Sequence, residues 1–166
     1  MCALLTLPGI GQAGASPEIP SGWWTLREAD LTTCLEVSDG RKLRLTFQAR
    51  MDRNPIVIDG DYAVSATKMG DYHVTWKVSK VWQKQLSSCR KAWHDIDIAS
   101  TTQLGRSIKV GDALKLTLHF ECADGKPQVQ LCLHDTSVVC RNLQDPNGTC
   151  KEGPAIDGSK INAPGR

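Results

Sequence analysis

Leu114-Lys115-Leu116-Thr117-Leu118-His119-Phe120-Glu121-Cys122 alternates apolar with polar residues without a break. An extended backbone sends successive side chains to opposite faces, so Leu114, Leu116, Leu118, Phe120 and Cys122 share one side of a half-buried strand. Ala123-Asp124-Gly125-Lys126 follows with the chemistry of a tight turn, and Val129, Leu131 and Leu133 then resume the two-residue period. Residues 112–135 are therefore predicted to form a β-hairpin.

The same period recurs upstream. Leu43, Leu45 and Phe47 alternate with polar residues, as do Tyr62, Val64 and Ala66, and then Val74, Trp76 and Val78. Lys68-Met69-Gly70-Asp71 reads as a hairpin loop between the last two. Ile56-Val57-Ile58 reads as a short strand whose start is set by Asn54-Pro55. No segment shows a 3.6-residue apolar face; residues 84–94 have room for one or two helical turns at most. Frequent turns without crossover helices predict an all-β fold, an antiparallel two-sheet sandwich of immunoglobulin-like type. The stretches 16–22 and 151–166 are rich in Pro, Gly and Ser, and the second is expected to be mobile.

The 166 residues suit one domain, and 40% hydrophobic with 23% charged residues is too apolar for a disordered chain. A net charge of +2 is too small for a nucleic-acid-binding field. The first fifteen residues carry no charge, hold an apolar run from Ala3 to Leu7, and end in Ala13-Gly14-Ala15 before Ser16. That pattern predicts a signal peptide over 1–15, a sandwich domain over 16–139, and a disulfide-closed loop with a flexible tail over 140–166. No later stretch approaches the ~20 apolar residues of a membrane span. Beyond Cys2 remain Cys34, Cys89, Cys122, Cys132, Cys140 and Cys150, an even set that reads as a disulfide framework in an exported chain. Asn147-Gly148-Thr149 is an acceptor triplet for glycosylation. The expected setting is the secreted or lysosomal lumen.

Catalytic templates are missing: there is no Gly-x-Ser-x-Gly elbow, no His-Glu-x-x-His pair and no phosphate-binding or dinucleotide glycine loop. His73, His119 and His134 fall on the polar side of alternating strands and are expected to be solvated. His94 with Asp95 and Asp97 is the one local cluster of histidine and carboxylates, but adjacent side chains do not share a strand face. The cysteine spacings lack the short ligand knuckles of a zinc site. The expectation is a protein without metal, cofactor or catalytic residues. From Lys77 to Trp93 five cations, Lys77, Lys80, Lys84, Arg90 and Lys91, occur with no acid, interleaved with Trp82 and Trp93. Lys80, Trp82, Lys84, Arg90, Lys91 and Trp93 are thus candidates for contact with anionic lipid headgroups. The plainer reading is a solvated basic loop whose tryptophans cap the core.

Cys34, the element Asn54-Pro55-Ile56-Val57-Ile58-Asp59-Gly60 and the strand Tyr62 to Ala66 resemble the opening of the ML lipid-recognition family, in particular its ganglioside-activator branch. Leu114 to Phe120, the Asp124-Gly125-Lys126 turn and Val129 to Leu133 resemble that family's closing hairpin. In its middle the family usually carries a close cysteine pair and a Cys-Pro element, where this chain has Cys89. The resemblance implies a non-enzymatic lipid-binding or lipid-transfer protein that holds the acyl chains of a lipid or glycolipid between two β-sheets. The residues it would use are Ile56, Ile58, Val64, Val74, Trp76 and Val78, with Leu116, Leu118, Phe120 and Leu131 in the hairpin. It also implies a Cys34–Cys132 bond. The turn residues Asp145-Pro146-Asn147-Gly148 then favour closure of Cys140 on Cys150, leaving Cys89 for Cys122. The alternative is a secreted cysteine-rich protein- or carbohydrate-binding module, effector- or inhibitor-like, that uses the basic, aromatic segment as its contact surface.

Overall fold

In the computed structural model, residues 17–50, 54–68, 70–86, 92–134 and 138–150 are described. The signal peptide expected over 1–15, Cys89, Arg90, Lys91 and the tail 151–166 lie outside them.

Period-two sequence becomes strand throughout. The elements are β1 (Gly22–Arg27), β2 (Leu31–Ser38), β3 (Lys42–Ala49), β4 (Ile56–Lys68), β5 (Asp71–Leu86), β6 (Trp93–Asp97), β7 (Ala113–Ala123), β8 (Lys126–His134) and β9 (Val139–Gln144). The predicted hairpin is β7–β8, with Leu118 opposite Leu131, and Phe120 opposite Val129. Its turn residues Asp124 and Gly125 both have positive φ, 52° and 70°, the mirror-image turn that matches strand twist and that an Asp-Gly pair adopts at little cost. The expected short strand at 56–58 and the one at 62–66 are a single strand, β4, which runs through Asp59-Gly60 without turning. Two irregularities bend the β4–β5 pair: Asp59 pairs with Lys80 but Gly60 with Val78, and Val64 pairs with Val74 but Ala66 with His73. Ser79 and Ser65 are the extra residues.

All pairings are antiparallel, and all but two, β1–β9 and β5–β7, join strands consecutive in the chain. β4 pairs with both β3 and β5, and β9 returns to β1, so eight strands form a ring in the order β1, β2, β3, β4, β5, β7, β8, β9. The all-β antiparallel fold is as predicted. The fold is sandwich-like, with strands packed around one core, and the β4–β5 pairing joins its layers into one continuous sheet. The seam is narrow: the register between β1 and β9 is the one pair Thr25 and Gln144, with Arg141 of β9 bonded to Glu28 just beyond β1 at 2.9 Å. β6 stands outside the ring, added to the far end of β5.

The inward faces fill one core. Trp76, Phe47, Phe120, Leu35, Leu45 and Leu118 are among its fully buried side chains. Phe120 meets the rings of Trp24 and Tyr72 edge to face, at centroid distances of 5.4 and 5.6 Å. Trp76 lies against the backbone of Gly60, where a Cβ would come within 2.3 Å of the indole Nε1. Leu104 and Ile108, between β6 and β7, join the same core.

Several expectations are corrected. The helical turns placed at 84–94 do not form in the described part, because β5 continues to Leu86 and β6 begins at Trp93. The cysteines pair as Cys122–Cys150 and Cys132–Cys140. Cys132 and Cys140 face each other on adjacent strands, with Cα atoms 4.1 Å apart. Cys34 is a free thiol on β2, separated from β8 by β1 and β9, so it has no route to Cys132. Cys150 is brought to Cys122 by its own N–H, which donates to the Gly125 carbonyl at 3.0 Å. The boundary expected at 139 falls within the sheet, since β9 completes the ring.

Candidate ligand-binding face

The interior comes first, because it was expected to hold acyl chains. Ile58, Val74, Trp76, Val78, Leu116, Leu118, Phe120 and Leu131 are each no more than 3% exposed. A side chain lining a void wide enough for an acyl chain would present surface to a water-sized probe; these present almost none. Ile56 and Val64 are half-buried at the margins. Two surface clefts among the described residues lie elsewhere and include none of these ten residues.

The outer face of β3, β4, β5 and β6 carries the polar chemistry. Arg44 opposes Asp59 on β4, Asp59 opposes Lys80 on β5, and Trp82 lies between Val57 and Asp97. Trp82 is 5% exposed although it points away from the core. Its Nε1–H donates to Asp59 Oδ2 at 2.7 Å. Arg44, Lys80 and Lys84 place their charges 5.1–5.7 Å from its ring centroid. Arg44 also donates to Asp59 through Nε at 2.6 Å and Nη2 at 3.3 Å. This hydrogen bond, opposed by partial burial, pushes the guanidinium above its ordinary range.

This geometry revises the basic, aromatic segment. The run is free of acids along the chain, but the neighbouring strands bring acids across to it. Asp59 lies opposite Lys80, Asp97 lies 3.6 Å from Lys80, and Asp95 lies opposite Lys84. Trp82 is enclosed, whereas Trp93 is 52% exposed at the start of β6. The structure thus brings Lys80, Trp82 and Lys84 together, with Trp93 exposed on the same face at its outer end. Asp59, Asp95 and Asp97 escaped the sequence reading as members of this face, because cross-strand register is what supplies them. The available signal was the period-two spacing of Lys80, Trp82 and Lys84, which puts all three on one side of a strand.

A cleft of about 350 Å³ opens on this face beside the Ser79 irregularity. Glu36, Ser38, Lys42, Arg44, Asp59 and Lys80 supply its polar lining, with carboxylates, amines, a guanidinium and hydroxyls interleaved. Trp23, 47% exposed, stands on β1 directly opposite Glu36, which in turn opposes Arg44. The row therefore runs from an exposed indole into alternating donors and acceptors. A second cleft of about 480 Å³, with Arg27, Glu28, Thr32, Gln48 and Arg50 in its wall, lies at the β1–β2 turn.

The histidines sit where alternation placed them. His73, His119 and His134 face outward on β5, β7 and β8; Thr117 Oγ1 lies 3.2 Å from His73 Nδ1 and 2.6 Å from His134 Nε2, and His119 is bonded to Asp71. Among the described residues no group of three or more His, Cys, Asp or Glu side chains is placed to hold a metal ion. The acceptor triplet lies on a surface turn in which Asp145 Oδ1 accepts from the N–H groups of Asn147 and Gly148, both at 2.9 Å, and the Asn147 side chain is exposed. Comparison with protein-family models, curated proteins and solved structures finds no match to this chain.

Proposed function

We propose that this chain is a secreted, non-enzymatic binding protein whose ligand, a saccharide, docks on the outer β2–β5 face at the cleft beside Trp23 and Arg44. Two disulfides support an oxidising compartment. No helix among the described residues is long and apolar enough to cross a membrane. The observation that carries the reading is the division of chemistry: the core side chains are packed, and a cleft on the outer face lies over charged and hydroxyl groups of both hydrogen-bonding senses. Sugar hydroxyls donate and accept at once, so they suit a lining that interleaves carboxylates with cationic donors, and an exposed indole supplies a stacking face for the ring. The test is a glycan microarray followed by calorimetry with the best ligand. Wild type binds, and Arg44→Ala and Trp23→Ala each weaken binding at least tenfold while the β-sheet circular dichroism is retained. Binding unchanged in both variants, or no glycan bound at all, overturns it.

The second reading is lipid binding in the interior, and one observation favours it. β1 and β9 share the shortest strand pairing in the ring, Thr25 with Gln144, backed by the Arg141–Glu28 ion pair, so this seam is the place where the ring opens at least cost to admit an acyl chain.

A further inference from the structure

A fully closed ring of strands removes sheet edges. β6 lies outside the ring and has a neighbouring strand, β5, on one side only. Ile98 N–H donates to the Val81 carbonyl at 3.0 Å, which fixes Ile98 and Val81 as a hydrogen-bonded pair. The next such pairs are two residues on, Ile96 with Gln83 and His94 with Gln85, in the β5–β6 register. Lys84 agrees from the other side, since its N–H points to the Pro55 carbonyl at 3.1 Å, away from β6. The N–H and C=O groups of Trp93, Asp95 and Asp97 therefore point to the free edge. None of them has a backbone partner among the described residues, and all five side chains of β6 are exposed.

Side chains on this edge specify what can pair with it. Trp93, Asp95 and Asp97 share one face, with His94 and Ile96 on the other. Trp93 is 52% exposed and Ile96 40%. The Asp97 side chain is 79% exposed despite Lys80 at 3.6 Å. A second copy is a poor occupant: the antiparallel register that overlaps all five residues sets Asp95 against Asp95, and like charges directly opposite destabilise a strand pair. A strand with basic residues opposite Asp95, Asp97 and the Trp93 ring, which attracts a cation over its face, and apolar residues opposite Ile96 gains from both.

We infer that β6 is a docking edge for an extended segment of a partner protein that alternates basic with apolar residues and adds to the sheet as a tenth strand. Main-chain bonds from Trp93, Asp95 and Asp97 supply the attraction, and the two carboxylates select the partner. The edge adjoins the saccharide cleft through the Lys80–Asp97 pair, but its main-chain groups lie outside the cleft's lining and the proposal does not depend on the saccharide reading.

The test uses the full oxidised protein and a blocked seven-residue peptide alternating lysine with valine, with a glutamate-for-lysine peptide as control. The lysine peptide is expected to slow amide exchange at Trp93, Asp95 and Asp97 and leave the amides of His94 and Ile96 as they were; the glutamate peptide should bind at least tenfold more weakly. Asp95→Lys combined with Asp97→Lys should reverse the preference, so a gain of glutamate-peptide binding shows that the variant is folded and the edge intact. Equal binding of both peptides, protection confined to other strands, or self-association through β6 that the charge reversal leaves unchanged would each overturn the inference.

Discussion

Trp82 and Asp59 are joined on the outside of the ring, where the indole N–H of Trp82 donates to a carboxylate that also receives Arg44. One acid thus satisfies a nearly buried indole and neutralises a guanidinium. Asp59→Ala leaves the indole without an acceptor and Arg44 without its partner, and should cost about 1–3 kcal/mol in urea unfolding, with Asp59→Asn costing less because an acceptor remains. Trp82 fluorescence should shift to the red in the alanine variant. An unchanged midpoint and spectrum would remove Asp59 from this role.

Phe120 is held by two aromatic edges in a dry interior. Phe120→Ala should cost about 3–5 kcal/mol, the usual penalty for an aromatic deleted from a packed core. Thermal and urea unfolding read it directly. A loss below about 1 kcal/mol would mean that the site already borders a void.

The two disulfides should differ in weight. Cys122–Cys150 closes a separation of 28 residues and Cys132–Cys140 one of 8. Chain entropy assigns them roughly 3.6 and 2.5 kcal/mol. The Cys122→Ser, Cys150→Ser double variant should therefore melt lower than the Cys132→Ser, Cys140→Ser variant. Non-reduced peptide mapping should give these two linked peptides; a peptide linking Cys34 to Cys132 would contradict the strand order.

Alkaline pH should weaken the fold. Burial pushes the Cys34 thiol up, with Arg27 opposing weakly, and burial likewise pushes up the Tyr62 phenol, against the N–H of Ile19 that donates to it. In both cases the unfolded chain ionises first, so stability is intact below the unfolded pKa values and falls as pH rises through about 8.5 and then about 10. Cys34→Ser and Tyr62→Phe should each flatten part of that decline in urea titrations from pH 7 to 11. A stability that rises over this range would contradict the burial of both groups.

Much of the ring is legible in the sequence where a strand has one dry and one wet face. Leu114 to Phe120 and Val129 to Leu133 read cleanly for that reason, as do Leu43 to Phe47 and Val74 to Val78. β6 was illegible because every residue of it is exposed, so burial imprints no alternation. β9 was hidden by its cysteine and its single deeply buried apolar side chain, Leu143. Trp23 and Trp24 gave no sign of which faced in; register settles it, with Trp24 opposite Leu35 in the core and Trp23 opposite Glu36 outside. The disulfides failed for a related reason, since pairing depends on which strands are neighbours. The charged face follows the same rule: Lys80 and Lys84 look unopposed along the chain and are balanced only once β4 and β6 lie alongside.

The central claim is that ligand chemistry lies outside a filled ring. Native mass spectrometry of the protein purified from a eukaryotic secretory host, with lipid extraction of the same sample, tests it most directly. The account predicts the mass of the polypeptide with its two disulfides and any glycan, and no lipid in the extract. A stoichiometric lipid adduct, lost together with stability when Phe120→Ala is introduced, would contradict it and establish the interior as the binding site.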